Sequence, residues 1–157
     1  MRSGCVPLKA VVDTNLFVCA SILQSGAPHE LLRAWERGAI TLLISDDQRS
    51  EVRNTLSRPK FASYGVSSVQ PRSLFNRLTA QAVDVSPIDE LPIPVRDVKD
   101  EPILAAALGG GADCLVTGDD DLLVRDGDPL LGRLRIVTAR AFLDILAAHL
   151  EDPGNPS

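Results

Sequence analysis

The amino-acid sequence predicts an α/β fold, a parallel sheet with helices on both of its faces. Two observations carry that reading. Apolar runs of strand length alternate with longer segments of helical period, the order expected when each strand returns to the sheet through a crossover helix. The 157 residues, 45% hydrophobic and 24% charged, also suit one ordinary core, expected over residues 1–150, with no internal repeat or linker dividing it. Collagen-like, mucin-like, disordered and disulfide-framework classes are excluded by the same composition.

The elements follow in order. Leu8-Lys9-Ala10-Val11-Val12 reads as a buried strand ending at Asp13-Thr14-Asn15. Pro28 suits the first turn of a helix that carries Leu31, Leu32 and Trp35 on one face. Ile40 to Ile44 is a second strand, and Ser45-Asp46-Asp47-Gln48 reads as a capping box opening a helix that should end before Arg58-Pro59. Leu74, Phe75 and Leu78 mark another helix, leading to a short strand at Val83-Asp84-Val85. Pro87, Pro92 and Pro94 make 86–96 irregular. Asp100-Glu101-Pro102 then starts a helix that Gly109-Gly110-Gly111 stops. Cys114 to Thr117 is a strand running into Gly118-Asp119-Asp120-Asp121, and Leu134 to Val137 is the last strand. Thr138 caps a final helix with Phe142, Ile145 and Leu146 inward, and the tail 151–157 is expected to be disordered.

Cys5, Cys19 and Cys114 have no metal-ligand spacing, and the last two sit in apolar runs, so buried reduced thiols in a reducing compartment are expected. No apolar run approaches the roughly 18 residues of a membrane helix. The first nine residues lack the ordered regions of a signal peptide. No membrane association and a cytoplasmic location are the expectation.

A net charge of −5 argues, on its face, against a nucleic-acid partner. The average conceals a division. Residues 1–80 hold 10 Lys/Arg against 6 Asp/Glu, a net of +4, whereas 81–157 hold 6 against 15, a net of −9. Between 49 and 77 lie Arg49, Arg53, Arg58, Lys60, Arg72 and Arg77, with Glu51 the one acid. An acidic chain can thus carry a basic face, although a charge run alone is more often a solvated helix surface.

In open α/β sheets, ligands bind beyond the carboxyl ends of the strands. Asp13 ends the first strand, Glu51 lies in the helix after the second, Asp97 and Asp100 precede a helix, and Asp119 to Asp121 follow a later strand. Two carboxylates 4–5 Å apart repel by roughly 3–4 kcal/mol at an effective dielectric of 20. A convergent cluster therefore needs protonation or a divalent cation, and oxygen-only ligands select Mg²⁺ or Mn²⁺ over Zn²⁺. Each acid also has a plainer explanation: Asp100 as an N-cap, Asp119-Asp120-Asp121 as a solvated turn, Glu51 in a helical ion pair. Asp13 is hardest to dismiss, because an uncompensated carboxylate at the end of an apolar strand is costly. His29 and His149 have no matching nucleophile segment. Gly109-Gly110-Gly111 follows a helix, which excludes a phosphate-binding loop or dinucleotide fingerprint.

Asp13-Thr14-Asn15 after a first strand resembles the opening motif of the PIN-domain ribonucleases. Ser45, Glu51, Leu56 and Arg58-Pro59-Lys60-Phe61 resemble the second segment of a subgroup of toxin–antitoxin toxins, the VapC-like ribonucleases. Asp100 with Ile103, Leu104, Ala105 and Ala107 is similar to the third acidic segment, and Val116 to Leu123 to the fourth. Ile136-Val137-Thr138 with Phe142-Leu143 is similar to the closing strand and helix, so the resemblance covers about residues 8–147. It implies a three-layer α/β/α PIN fold with a central parallel sheet of about five strands, and Mg²⁺- or Mn²⁺-dependent cleavage of RNA. Carried over, Asp13, Glu51, Asp100 and Asp119 are the catalytic, metal-binding acids. Asp121 is a further candidate ligand within the three consecutive aspartates. Asp97 supports them, and Thr14, Asn15 and Thr117 orient ligands or water, or else serve their turns. Arg49, Arg53, Arg58 and Lys60 would hold the RNA backbone, while four Phe, one Trp and one Tyr leave little for base stacking. The subgroup further implies an antitoxin partner and a homodimer. Two alternatives stand beside this reading. One is a Mg²⁺-dependent phosphatase on a doubly wound sheet, which normally has a second Asp where this chain has Asn15; the other is a PIN scaffold binding RNA or protein without turnover.

Overall fold

The computed structural model describes residues 6–22, 25–56, 76–77 and 80–151. In chain order these form β1 (Leu8–Val12), α1 (Thr14–Ile22), α2 (Ala27–Glu36), β2 (Ile40–Ile44), α3 (Asp46–Leu56), β3 (Val83–Asp84), α4 (Glu101–Gly109), β4 (Cys114–Val116), α5 (Asp120–Leu123), β5 (Arg135–Val137) and α6 (Ala139–Glu151). Short 3₁₀ turns at Val98–Asp100 and Pro129–Leu131 complete the set. The sheet has five strands in the order β3-β2-β1-β4-β5, and each neighbouring pair is parallel.

Strand alternation divides the core in two. Leu8, Ala10 and Val12 of β1, with Ile40, Leu42 and Ile44 of β2 and Cys114 and Val116 of β4, pack under α1, α2 and α6. Val11, Leu43, Leu115 and Ile136 point the other way, under Leu104 and Ala107 of α4, Leu122 of α5 and Ile93 of the preceding loop. The result is three layers, α/β/α. On the first face Phe17 meets Trp35 edge to face, ring centroids 6.5 Å apart, joining α1 to α2. Among the described residues no helix is long and apolar enough to cross a membrane.

Most of the expected elements stand where the sequence puts them, within a residue or two. Pro28 lies in the first turn of α2, and the Thr138 hydroxyl accepts from the Ala141 amide at 3.1 Å to cap α6. The expected contacts of Leu74, Phe75 and Leu78, the environment of Cys5 and the tail beyond Glu151 lie outside the described residues. Two expectations change. A whole helix, α1, occupies 14–22 where no helix is predicted, because Leu16, Phe17, Val18 and Ala20 spread apolar groups around it and leave no amphipathic period. Cys19 is exposed on α1, not buried as expected from its apolar run, while Cys114 is buried and its thiol is pushed up to about 12 by burial.

The loop after β3 is held against the C-terminal end of α4. The Ile88 amide donates to the Ala105 carbonyl at 3.1 Å, and a Cβ on Gly109 would stand 2.1 Å from the Ser86 carbonyl oxygen. Glycine is required there by close backbone approach. Gly109→Ala is expected to destabilise the fold by about 1–3 kcal/mol, lowering Tm by about 2–4 °C per kcal/mol. Gly118→Ala, with nothing within 4 Å of its Cβ, should melt near wild type. Equal melting of the two variants by calorimetry would contradict this packing.

Candidate functional site

The chain leaves β1 toward β2 on one side and later places β4 on the other, so the strand order reverses at β1. At such a switch point, loops depart in opposite directions and open a crevice beyond the strand ends. Val12 pairs with Val116, so Asp13 and Thr117 emerge side by side at that level. The Asp13 amide donates to the Val116 carbonyl at 2.9 Å. Its carboxylate accepts from the Asn15 amide at 3.1 Å through Oδ1 and from the Thr117 hydroxyl at 2.8 Å through Oδ2. Thr117 is fully buried, and its hydroxyl oxygen also accepts from the Asp119 amide at 3.1 Å. Asp119 in turn caps α5 by accepting from the Asp121 amide at 2.9 Å.

Asp100 enters the crevice from the opposite segment. It is the residue before α4, but its side chain makes no cap hydrogen bond to that helix, which removes the plainer explanation for it. Only 8% of it is exposed, and its Oδ2 has no hydrogen-bond partner. Its pKa rises from the ordinary 3.8 to about 7, first because burial disfavours the charged form, then through hydrogen bonding to and repulsion by Asp119, and repulsion by Asp97 and Asp13. These residues line one cavity of about 670 Å³ together with Thr14, Asn15 and Glu51. Among the described residues no group of three or more His, Cys, Asp or Glu side chains stands arranged to hold a metal ion. The chemistry of the donors nevertheless suits a hard divalent cation: oxygens alone, a buried carboxyl oxygen without a partner, and like charges that a cation would neutralise.

The remaining predicted residues are distributed as follows. Thr14 is buried at the start of α1, Asn15 is exposed, and Asp97 caps the 3₁₀ turn by accepting from the Lys99 amide at 3.0 Å. Glu51 reaches the same cavity from α3 but is exposed and is not among the groups that raise Asp100. Asp121 does not line the cavity; its carboxylate faces Arg96 at 3.7 Å, so Asp119 is the aspartate of the triplet turned to the crevice. Arg49 does not face the cavity as a backbone-holding residue would. It is paired with Asp84 at the end of β3 and largely buried, because the edge strand brings that carboxylate beside α3. Arg53 is exposed on α3, and Arg58 and Lys60 lie outside the described residues.

The lining residues that sequence reasoning missed include Asp47, Gln48, Lys99 and Cys19. Gln48 corrects the expected capping box. Ser45 accepts from the Gln48 amide at 3.2 Å, but the Gln48 side chain donates to the Val12 carbonyl instead of returning to Ser45. It thereby ties α3 to the end of β1, one residue before Asp13. The S-x-x-Q spacing signals the cap; nothing local to it signals a partner 36 residues away.

A PIN domain family profile matches residues 9–121, the stretch from β1 through the Asp119 turn. The chain belongs to the PIN domain family. No curated protein matches it. PIN domains are generally nucleases that use divalent metals, so family membership supports a hydrolase acting on nucleic acid and sets aside the phosphatase alternative.

The buried carboxyl makes stability depend on pH in a definite direction. A carboxyl whose folded pKa is raised stabilises the fold most when protonated, and that contribution is lost as pH rises from about 4 through about 7. Asp126, lowered chiefly by its Arg135 hydrogen bond, acts in the opposite sense and loses its contribution as pH falls. In EDTA, Asp100→Asn should therefore gain in Tm relative to the parent protein as pH rises from 4 to 8. Mg²⁺ at 100 times its pH 8 Kd should stabilise the parent by about 2.7 kcal/mol at pH 8 and by less at pH 5. A Tm difference constant across that range, with no Mg²⁺ effect, would contradict the assignment.

Proposed function

We propose that this PIN domain is a Mg²⁺- or Mn²⁺-dependent endoribonuclease acting on single-stranded RNA in the cytoplasm, and the toxin of a toxin–antitoxin module. The observation that carries the reading is Asp100: a buried carboxyl with one oxygen, Oδ2, left without a hydrogen-bond partner, set among Asp119, Asp97 and Asp13 in an open cleft. A fold keeps such an unfavourable group where a ligand compensates it.

Asp13, Asp100 and Asp119 would hold the cation, with Glu51 completing the set from the rim. A bound Mg²⁺ or Mn²⁺ supplies charge neutralisation at the scissile phosphate and a more acidic attacking water. The protein's own part is to hold the acids in place. Thr117 and the Asn15 amide fix both oxygens of Asp13, leaving the remaining lone pairs to face the cleft. Asp97 holds the turn that delivers Asp100. Attack by water in line with the leaving oxygen then gives a 3′-hydroxyl and a 5′-phosphate. In this reading a cognate antitoxin blocks the cleft, and the toxin is a homodimer.

Mixed RNAs incubated with the protein in Mg²⁺, Mn²⁺ or EDTA, followed by end-mapping, test the reading. Cleavage is expected with either metal and none in EDTA. Asp13→Asn and Asp100→Asn should each lower the rate by at least about a hundredfold, with both variants still folded by circular dichroism. Wild-type rates in either variant, or cleavage indifferent to EDTA, would defeat it. Metal-stabilised binding of RNA without cleavage would support the non-catalytic scaffold instead.

A further inference from the structure

The cleft that this reading assigns to RNA is lined by six acids, Asp13, Asp47, Glu51, Asp97, Asp100 and Asp119. Even with a cation bound, a polyanion needs positive charge beside it. The basic stretch on and after α3 is the obvious source by sequence, yet Arg49 is turned to Asp84. Among the described residues lining the cleft, Lys99 is the one cation.

Its setting is a short exposed ledge, Arg96-Asp97-Val98-Lys99, whose main chain is held. Asp97 accepts from the Lys99 amide at 3.0 Å through its side chain and from the Asp100 amide at 2.9 Å through its carbonyl. The two cationic side chains are left outside. Arg96 is 84% exposed, and its pairing with Asp121 is long, at 3.7 Å, and open to solvent, so salt screens it and a phosphate can displace it. Between them Val98 is 72% exposed, an apolar surface with no packing partner in the core clusters. Along the backbone that leads to Asp100, a cation, an apolar side chain and a second cation thus occur in that order, with the acidic Asp97 between the first two. Single-stranded RNA presents phosphate, sugar and base, and phosphate again in a matching order.

We infer that Arg96, Val98 and Lys99 form the substrate ledge of this nuclease, with Lys99 on the phosphate next to the scissile one and Arg96 on the phosphate beyond. The ledge rests on the nuclease reading. It differs from that reading in placing the RNA-holding charge on the segment before α4 and not on α3. The two cations bind substrate; the acids remain the reacting centre. The exposed Val98 takes the intervening sugar or base by apolar contact alone, so sequence discrimination at that nucleotide is weak.

Salt dependence separates phosphate contacts from structural roles. Each phosphate contact on a single strand adds about 0.7 to the slope of log affinity against log salt. Cleavage of a labelled single-stranded RNA in Mg²⁺ is measured across a salt series for the parent protein, Lys99→Gln, Lys99→Arg, Arg96→Gln and Arg33→Gln. Lys99→Gln and Arg96→Gln should each reduce the slope of log kcat/KM by about 0.7, about fivefold in kcat/KM at 0.1 M salt. Lys99→Arg should keep the parental slope, as should Arg33→Gln in the separate groove between α2 and α6. Parental slopes in both glutamine variants, with the parent still cutting RNA, overturn the ledge and leave the nuclease reading standing. A parent protein that cuts no RNA overturns both.

Discussion

The Thr117 hydroxyl donates to Asp13 and accepts from the Asp119 amide, so one buried side chain joins the ends of two neighbouring strands at the point where the sheet order reverses. With the Asp13 amide donating to the Val116 carbonyl, it fixes the two aspartates relative to each other. Its own position follows from the sheet: the Thr117 amide donates to the Val137 carbonyl at 2.9 Å, and Val116 and Val137 are paired in register. The site is therefore held by the most buried strands of the protein, which is where a constellation of like charges can be kept from relaxing.

Charge is the burden that this geometry creates. Burial and three neighbouring acids all press Asp100 toward its neutral form. A proton relieves that at low pH; under the proposed function a divalent cation would relieve it near neutrality. The net charge of the chain, −5, then takes on a different meaning. Part of the acidic excess lines one cleft, where among the described residues Lys99 is the one cation.

The sheet and its acids were legible in the sequence because they obey local rules. Apolar runs broken only by Lys9 and Thr41 define β1 and β2 to the residue, and an aspartate directly after such a run has few structural excuses. The features that were not legible depend on distant partners. Helix α1 is apolar on several sides because it packs on both the sheet and α2, which removes the period that would betray it. Arg49 reads as a surface cation until the edge strand brings Asp84 beside it, 35 residues along the chain. Gln48 looks like a cap residue until β1 offers it a carbonyl. Among the three consecutive aspartates, the choice falls to Asp119 because only that one follows Thr117 by two residues and turns into the crevice.

The centre is most directly tested by anomalous scattering from crystals grown with Mn²⁺. A single strong peak in contact with the carboxylates of Asp13 and Asp100, with Asp119 at or near it, is the expected result. Diffraction from the same crystals with no peak in that crevice, and Asp100 Oδ2 still without a partner, would contradict a cation-dependent site.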